Sequence, residues 1–386
     1  MGRERIALCF FVDALGWETA RRHGCFEDLA PHAYRQRTIL GYSCAAQPTI
    51  LTGIMPSEHG HWAMFERSDG SSLAALRYLR FLPPAIAQHR RLRRRLLAYH
   101  RRRNGFSGYY NFYRIPFALF GSFDICEKRD IYAPGAFESG VASIFDVLAR
   151  NRVPHRRWTW TTGLEQSFRE LQDALAGGGD MRFALVYTAH MDAFLHDEIG
   201  NEDAVRRELA RLEDMIGRAV DRARSHYARV DTLVFSDHGM IKTTGTFDLM
   251  RFVREVGFSH GRDYLAFYDS TMGRFWFSNE RAREEIAQAL ESLDCGTLLT
   301  DADLRREGIY FEDRRFGELV FLMEPGILVL PSYMGARAPA GMHGFSPEHE
   351  DSYAILRASE PIEPQPTHIR DTFRVMADLV NQRREP

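Results

Sequence analysis

Cysteine is scarce in this chain, no apolar run is long enough to cross a bilayer, and charge of neither sign prevails. Five cysteines, at positions 9, 25, 44, 126 and 295, are an odd number without C-x-x-C spacing. That pattern speaks against a disulfide framework and against a cysteine-built zinc site, and it fits a reducing cytosol. The N-terminal MGRERIALCFFVDALG is too short in apolar residues to span a membrane, and it runs into Asp13 instead of a small-residue cleavage site. It reads as a first strand of a soluble, cytoplasmic protein. A formal charge of -2 leaves no global field that would select nucleic acid or acidic partners, so any charge effect must be local. Internal repeats and low-complexity linkers are missing as well.

What is present is apolar and patterned. The 386 residues are 45% hydrophobic and 12% aromatic, enough for a large core. At about 100–200 residues per domain, this length suits two units or one elaborated α/β core. ALCFFV, RFALVYT, DTLVFS and, more weakly, WTWT at 158–161 are short apolar runs ending in polar or turn residues, as buried parallel strands do. ASIFDVLARN and EDAVRRELARLEDMIGRAVDRARSHY carry apolar residues at helical spacing between them. Such alternation predicts an α/β fold with a mainly parallel central sheet and helices on both faces. Two stretches interrupt it. Residues 64–135 hold HRRLRRRLLAYHRRR and the aromatic-rich GFSGYYNFYRIPFALFGSF; residues 242–340 hold YLAFYDS, GRFWFSN and ELVFLME, which suggest an antiparallel sub-sheet. Both are read as cap insertions in a single domain spanning 1–386.

Ligands in such folds collect at the carboxyl ends of strands, and there the sequence concentrates metal-binding residue types. Asp13 ends the first strand. VDTLVFSDHGM ends in Asp237 and His238, whose unpaired burial would cost several kcal/mol, roughly, without a compensating group. In AHMDAFLH, Asp192 and His196 are four apart and share one face of a helical turn. His343 sits between two glycines in GMHGF. Each residue also has a plain structural reading: Asp13 as a helix cap, Asp192 and His196 as a surface pair, His343 as part of a turn. Together, mixed nitrogen and oxygen donors favour zinc, with manganese or iron as alternatives.

A nucleophile is the remaining requirement. GYSCAAQPTILTGIMPSEHGHW contains PTILTG, read as a short helix with Pro48 near its start. Ser43, ahead of that helix, would present its hydroxyl where backbone amides and cations favour negative charge. As an isolated serine it would be a turn or cap residue.

The set Asp13, Ser43 ahead of LTGIMPSEHG, Asp192-x-x-x-His196, SDHGM at 236–240 and GMHG at 341–344 resembles the alkaline phosphatase superfamily, closest to its type I phosphodiesterase and nucleotide pyrophosphatase branch. The likeness runs from residue 6 to about residue 358, and it implies a three-layer sandwich with cap insertions. In that family the nucleophile lies nine residues before the threonine of T-G; here 52 minus 43 is nine, which selects Ser43 over Cys44 or Thr49. Carried over by position, the resemblance implies two divalent ions. One is held by Asp192, His196 and His343, the other by Asp13, Asp237 and His238 with the Ser43 oxygen. The implied activity is hydrolysis of phosphate esters, diesters foremost, through a phosphoserine on Ser43. Transfer of the phosphoryl group to an alcohol is the close alternative, and a membrane-associated protein with a structural metal site is the alternative from another class. Sulfatases carry a cysteine where Ser43 stands and an arginine where Gln47 stands, so a sulfatase is disfavoured. Nucleotide pyrophosphatases carry an asparagine at the position of Ala46, and that departure weakens the inference to nucleotides.

Other residues are less specific. His59 matches a family histidine read as structural. His190 lies off the ligand face, where solvent or supporting roles are expected. Lys242 could reach a substrate phosphate or be an ordinary loop lysine, and Asp269, Ser270 and Thr271 could line the pocket. Residues 89–103 hold eight arginines among leucines and aromatics. As a helix they suit an anionic membrane surface at the inner face or a phosphorylated substrate, or a solvated helix paired with acidic neighbours. Nucleic acid ranks third, because no recognition motif accompanies them.

Overall fold

A computed structural model describes residues 3–177 and 179–381. Its central sheet has six strands: β1 (Arg3–Val12), β2 (His32–Gln36), β3 (His155–Trp158), β4 (Phe183–Thr188), β5 (Tyr227–Phe235) and β6 (Ala354–Ala358). Their spatial order is β2-β6-β5-β1-β4-β3. β1 lies parallel to β4 and β5, and β3 lies parallel to β4. β6 alone runs against its neighbours.

The continuous apolar runs follow from burial on both faces of the sheet. Along β1, Ala7, Cys9 and Phe11 face one core while Ile6, Leu8, Phe10 and Val12 face the other. The first core is closed by helix α1 (Ser43–Thr52) and by the helices Ile144–Arg150 and Asp371–Asn381. The second is closed by Leu164–Ala176 and Glu202–Arg224, through Leu171, Leu175, Leu209, Leu212 and Ile216. This is the expected α/β sandwich. WTWT is a partial miss, because the strand covers residues 155–158 and ends at Trp158. It is an edge strand with Arg156 and Arg157 exposed, so its apolar signal is weak.

Register brings the ligand-bearing ends level. Phe11 pairs with Phe235 and Val12 with Thr188, so the turns after β1, β4 and β5 open onto one edge. Helix α1 begins at Ser43 itself, with Pro48 inside it; the nucleophile candidate heads the helix instead of preceding it.

The two interrupting stretches form one lobe. Tyr264–Tyr268, Met272–Phe277, Leu319–Met323 and Gly296–Leu299 make a four-stranded antiparallel sheet. It shares a single apolar cluster with the first stretch, where Phe65, Phe120 and Phe123 meet Phe267, Phe275 and Trp276. Arg274, fully buried, fastens the two, donating to Asp269 Oδ2 and to the Phe65 carbonyl, each at 2.9 Å. The arginine-rich helix α2 (Arg90–Asn104) caps this lobe and turns only Arg93 and His100 fully inward.

Candidate active site

Seven side chains from five segments meet at the carboxyl edge of the sheet: Asp13, Ser43, Asp192 with His196, Asp237 with His238, and His343. Asp192 and His196 project from helix α3 (His190–Glu198), which follows β4. Asp192 Oδ1 lies 3.4 Å from His196 Nε2 and 3.3 Å from His343 Nε2. His238 Nε2 lies 3.6 Å from Asp13 Oδ1, 3.3 Å from Asp237 Oδ2 and 2.9 Å from Ser43 Oγ. The His238 and His343 rings stack with centroids 3.9 Å apart. Two overlapping groups result, Asp192–His196–His343 and Asp13–Asp192–His238, each with its donor atoms within 4.8 Å of one another.

His196 Nδ1 is 2.8 Å from the Gly341 carbonyl and His238 Nδ1 is 3.0 Å from that of Gly239. Each ring therefore donates backwards and turns its Nε2 lone pair toward the carboxylates, the arrangement found in metal-ligating histidines. Asp237 Oδ1 accepts the backbone N–H groups of Ala14 and His238, at 3.3 and 3.1 Å. Its Oδ2, with Asp13 Oδ1 and Asp192 Oδ1, is buried without a hydrogen-bond partner among the described residues. Three orphaned carboxylate oxygens facing imidazole nitrogens fit divalent cations, which would satisfy all of them at once.

Protonation follows the same crowding. Burial, then the Asp237 and Asp192 charges, hold Asp13 well above the usual carboxylate range. Asp237 is pushed up to about 7, chiefly by burial. Burial works on Asp192 in the same direction, but His196 and His343 outweigh it and hold that carboxyl low. His343 is pushed down to about 3 by burial and by His238, so it stays neutral and able to ligate.

Local backbone geometry serves the cluster. Ala14 takes a positive φ of 62° and thereby aims its N–H at Asp237. Gly239 is required by close approach: a Cβ there would stand 2.1 Å from the Asp351 carbonyl oxygen. Behind Asp13 runs a relay that sequence reasoning missed. Tyr187 donates to Asp13 Oδ2, Gln47 Nε2 donates to the Tyr187 oxygen at 2.9 Å, and Tyr132 donates to Gln47 Oε1 at 3.0 Å. A hydroxyl at the buried end of the VYT strand was the available signal.

Ser43 occupies the amino end of α1, where unpaired N–H groups and the helix dipole favour negative charge. Thr49 is buried and bonded to the Ala45 carbonyl and to His59, which is itself buried and accepts the His61 N–H. Cys44 lines the cavity, but burial pushes its thiol up to about 12. Ala46 faces the core and lends nothing to the site. His190 is taken by Glu208 at 2.7 Å. Lys242, exposed and paired with Gly341 in a short bridge, lines a different cavity.

The site floors a cavity of about 420 Å³ whose walls include residues of both interrupting stretches. Asp269 and Ser270 line it; Thr271 instead bonds the Gly344 carbonyl and Tyr42. Tyr109, Tyr113, Glu127, Trp160 and Arg337 also line it and were not singled out from sequence.

Residues 41–346 match the type I phosphodiesterase / nucleotide pyrophosphatase family. No curated protein shows significant similarity to the chain. Among solved structures, human ectonucleotide pyrophosphatase / phosphodiesterase 5 is similar with a TM-score of 0.69 at 12% identity, covering 98% of this chain and 95% of that one. The murine protein gives 0.68 at 14%, covering 99% and 96%. An inactive variant of the murine protein in complex with AMP gives 0.67 at 14%, covering 100% and 96%. At these identities the structures speak for the fold alone, while the family match spans most of the sequence. The chain thus belongs to the type I phosphodiesterase / nucleotide pyrophosphatase family, a metal-dependent hydrolase branch of the alkaline phosphatase superfamily.

Proposed function

We propose that the protein hydrolyses phosphodiesters through a covalent phosphoserine on Ser43, at a centre for two zinc ions. The observation that carries this reading is the set of three buried carboxylate oxygens, without a hydrogen-bond partner among the described residues, converging with histidine Nε2 atoms beside the Ser43 hydroxyl. Asp192, His196 and His343 would hold one ion; Asp13, Asp237 and His238, with Ser43, would hold the other. Manganese or iron would suit the same donors. When bound, such ions supply the Lewis acidity that activates the serine and neutralises charge on the phosphoryl oxygens.

The residues of the chain do the rest. Ser43 Oγ forms a bond to phosphorus as the P–O bond to the leaving alcohol breaks, and the amino end of α1 favours the negative charge gathered there. Water then attacks phosphorus, the P–Oγ bond breaks, and Ser43 is regenerated with release of a phosphate monoester. The Tyr132–Gln47–Tyr187 relay keeps Asp13 oriented throughout.

The substrate is a phosphate ester, and AMP in the murine relative supports a nucleotide among the candidates. The lack of an asparagine at Ala46 leaves the phosphoryl group to other contacts. Five free cysteines support a cytoplasmic setting, and α2 supports a face directed to an anionic surface there. Elemental analysis and turnover of a chromogenic phosphodiester test the chemistry. Ser43→Ala should retain about two metals per chain and lose hydrolysis; an unchanged rate rejects covalent catalysis.

A further inference from the structure

The first insertion carries a surface that the chemistry of the cavity does not use. From Gly70 to Phe123 the sequence holds eleven arginines and neither aspartate nor glutamate. Two of these arginines are structural. Arg93 donates to the carbonyls of Ala87, Phe112 and Ile115 at 2.9, 3.0 and 2.8 Å, and Arg101 lies over the rings of Tyr110 and Trp160. Arg77, Arg80, Arg90, Arg91, Arg94 and Arg95 are exposed, and none of them has a carboxylate partner among the described residues. The alternative of a solvated helix paired with acidic neighbours therefore fails for this face.

Between the two arginine groups lies FLPPAIA, residues 81–87, seven apolar residues without a break. Phe81 is 77% exposed and Ile86 50%, and Pro83, Pro84 and Ala85 are exposed with them. The segment is an ordered turn. Ile86 and Ala87 donate to the Pro83 carbonyl at 2.9 Å, and Arg93 grips the Ala87 carbonyl from the first turn of α2. A soluble surface gains nothing from an exposed, rigid, uninterrupted apolar run, which invites aggregation unless something covers it.

We propose that residues 81–87 insert into the acyl boundary of an anionic bilayer, with the flanking arginines on its lipid phosphates. This rests on the anionic-surface part of the reading above and adds an apolar anchor to it. Apolar groups buried about 5–10 Å deep, beside cations at the headgroups, are how interfacial segments bind, and each arginine near such a surface strengthens partitioning about five-fold. Nucleic acid offers the same phosphates but no hydrocarbon. Phe81 offers a base one ring to stack on, but Leu82, Pro83, Pro84, Ala85 and Ile86 offer none, and only hydrocarbon covers the whole run.

Flotation of the intact protein with phosphatidylcholine vesicles, with and without phosphatidylglycerol, reads the surface. Ile86→Trp with lipids brominated on their acyl chains reads the insertion. The parent should float only with the anionic vesicles. R90S/R91S/R94S/R95S should lower partitioning several-hundred-fold, about five-fold per arginine. F81D/I86D should abolish flotation, and the introduced tryptophan should be quenched. All variants should keep the parent turnover on a soluble diester, which checks their fold. Flotation without quenching overturns the anchor and leaves the electrostatic reading standing. Equal recovery from both vesicles, or tighter binding to a random-sequence duplex that strips the protein from vesicles, overturns both and leaves the hydrolase reading intact.

Discussion

Tyr187 donates its hydroxyl hydrogen to Asp13 Oδ2 while accepting one from Gln47 at 2.9 Å. Asp13 therefore has one oxygen tied back and one free toward His238. Removing a hydrogen bond of this kind costs about 10–100-fold in metal affinity or activity. Tyr187→Phe should lose that much, and Gln47→Leu should move in the same direction by less. A chelator-competition titration beside kcat decides it, and an unaltered metal affinity in Tyr187→Phe would remove the relay from the site.

Gly239→Ala should be disproportionately harmful for one methyl group. The new Cβ would meet a backbone oxygen at 2.1 Å, which cannot rotate away as a side chain can. Overpacking of this sort costs about 1–3 kcal/mol, and the displacement falls on His238 next door. Urea unfolding should show the loss, accompanied by a fall in turnover. A variant as stable as the parent would mean the Asp351 loop yields freely.

Glu127 makes stability depend on pH. Burial pushes this carboxyl from the usual 4.5 to about 8. A carboxyl raised on folding contributes its full stability below the unfolded pKa, and that contribution is lost as pH rises through the folded one. The window is therefore about pH 4.5–8. Glu127→Gln keeps an acceptor for the Tyr109 amide, now bonded at 2.7 Å, and removes the titration. Its melting temperature should exceed that of the parent by more at about pH 8 than at about pH 6. A constant difference would place the titration elsewhere.

Metal removal should destabilise the fold as well as silence it. Cations that bind only the folded chain add stability by mass action, about 2.7 kcal/mol at a hundred-fold excess over Kd. Their loss leaves Asp13, Asp192 and Asp237 confronting one another in a buried space. Thermal melts in excess chelator should fall and should recover on adding zinc. Identical melts would argue that the donors hold no ion.

The sequence disclosed elements whose burial leaves a simple trace. β1, β4 and β5 sit between two cores, so the buried stretch of each is nearly all apolar and the run stands out. β2 and β6 escaped because HAYRQ alternates at an edge and AILRA includes Arg357, which is buried on the Ala30 carbonyl. The ligands were readable because each ends a strand or sits in a short motif. The Tyr132–Gln47–Tyr187 relay was not, since its members come from three separate segments and only the folded chain sets them in line. The apolar turn at residues 81–87 was overshadowed by the arginines beside it.

Arg274 ties residues 64–135 and 242–340 into one body. Because its guanidinium joins Asp269 to the Phe65 carbonyl beneath a shared set of aromatic rings, neither interrupting stretch is a detachable module. Chimaeras that borrow only one of them from a relative would strand a cation in grease and lose the roof of the cavity. Swaps of catalytic specificity within this family should succeed only when both pieces travel together.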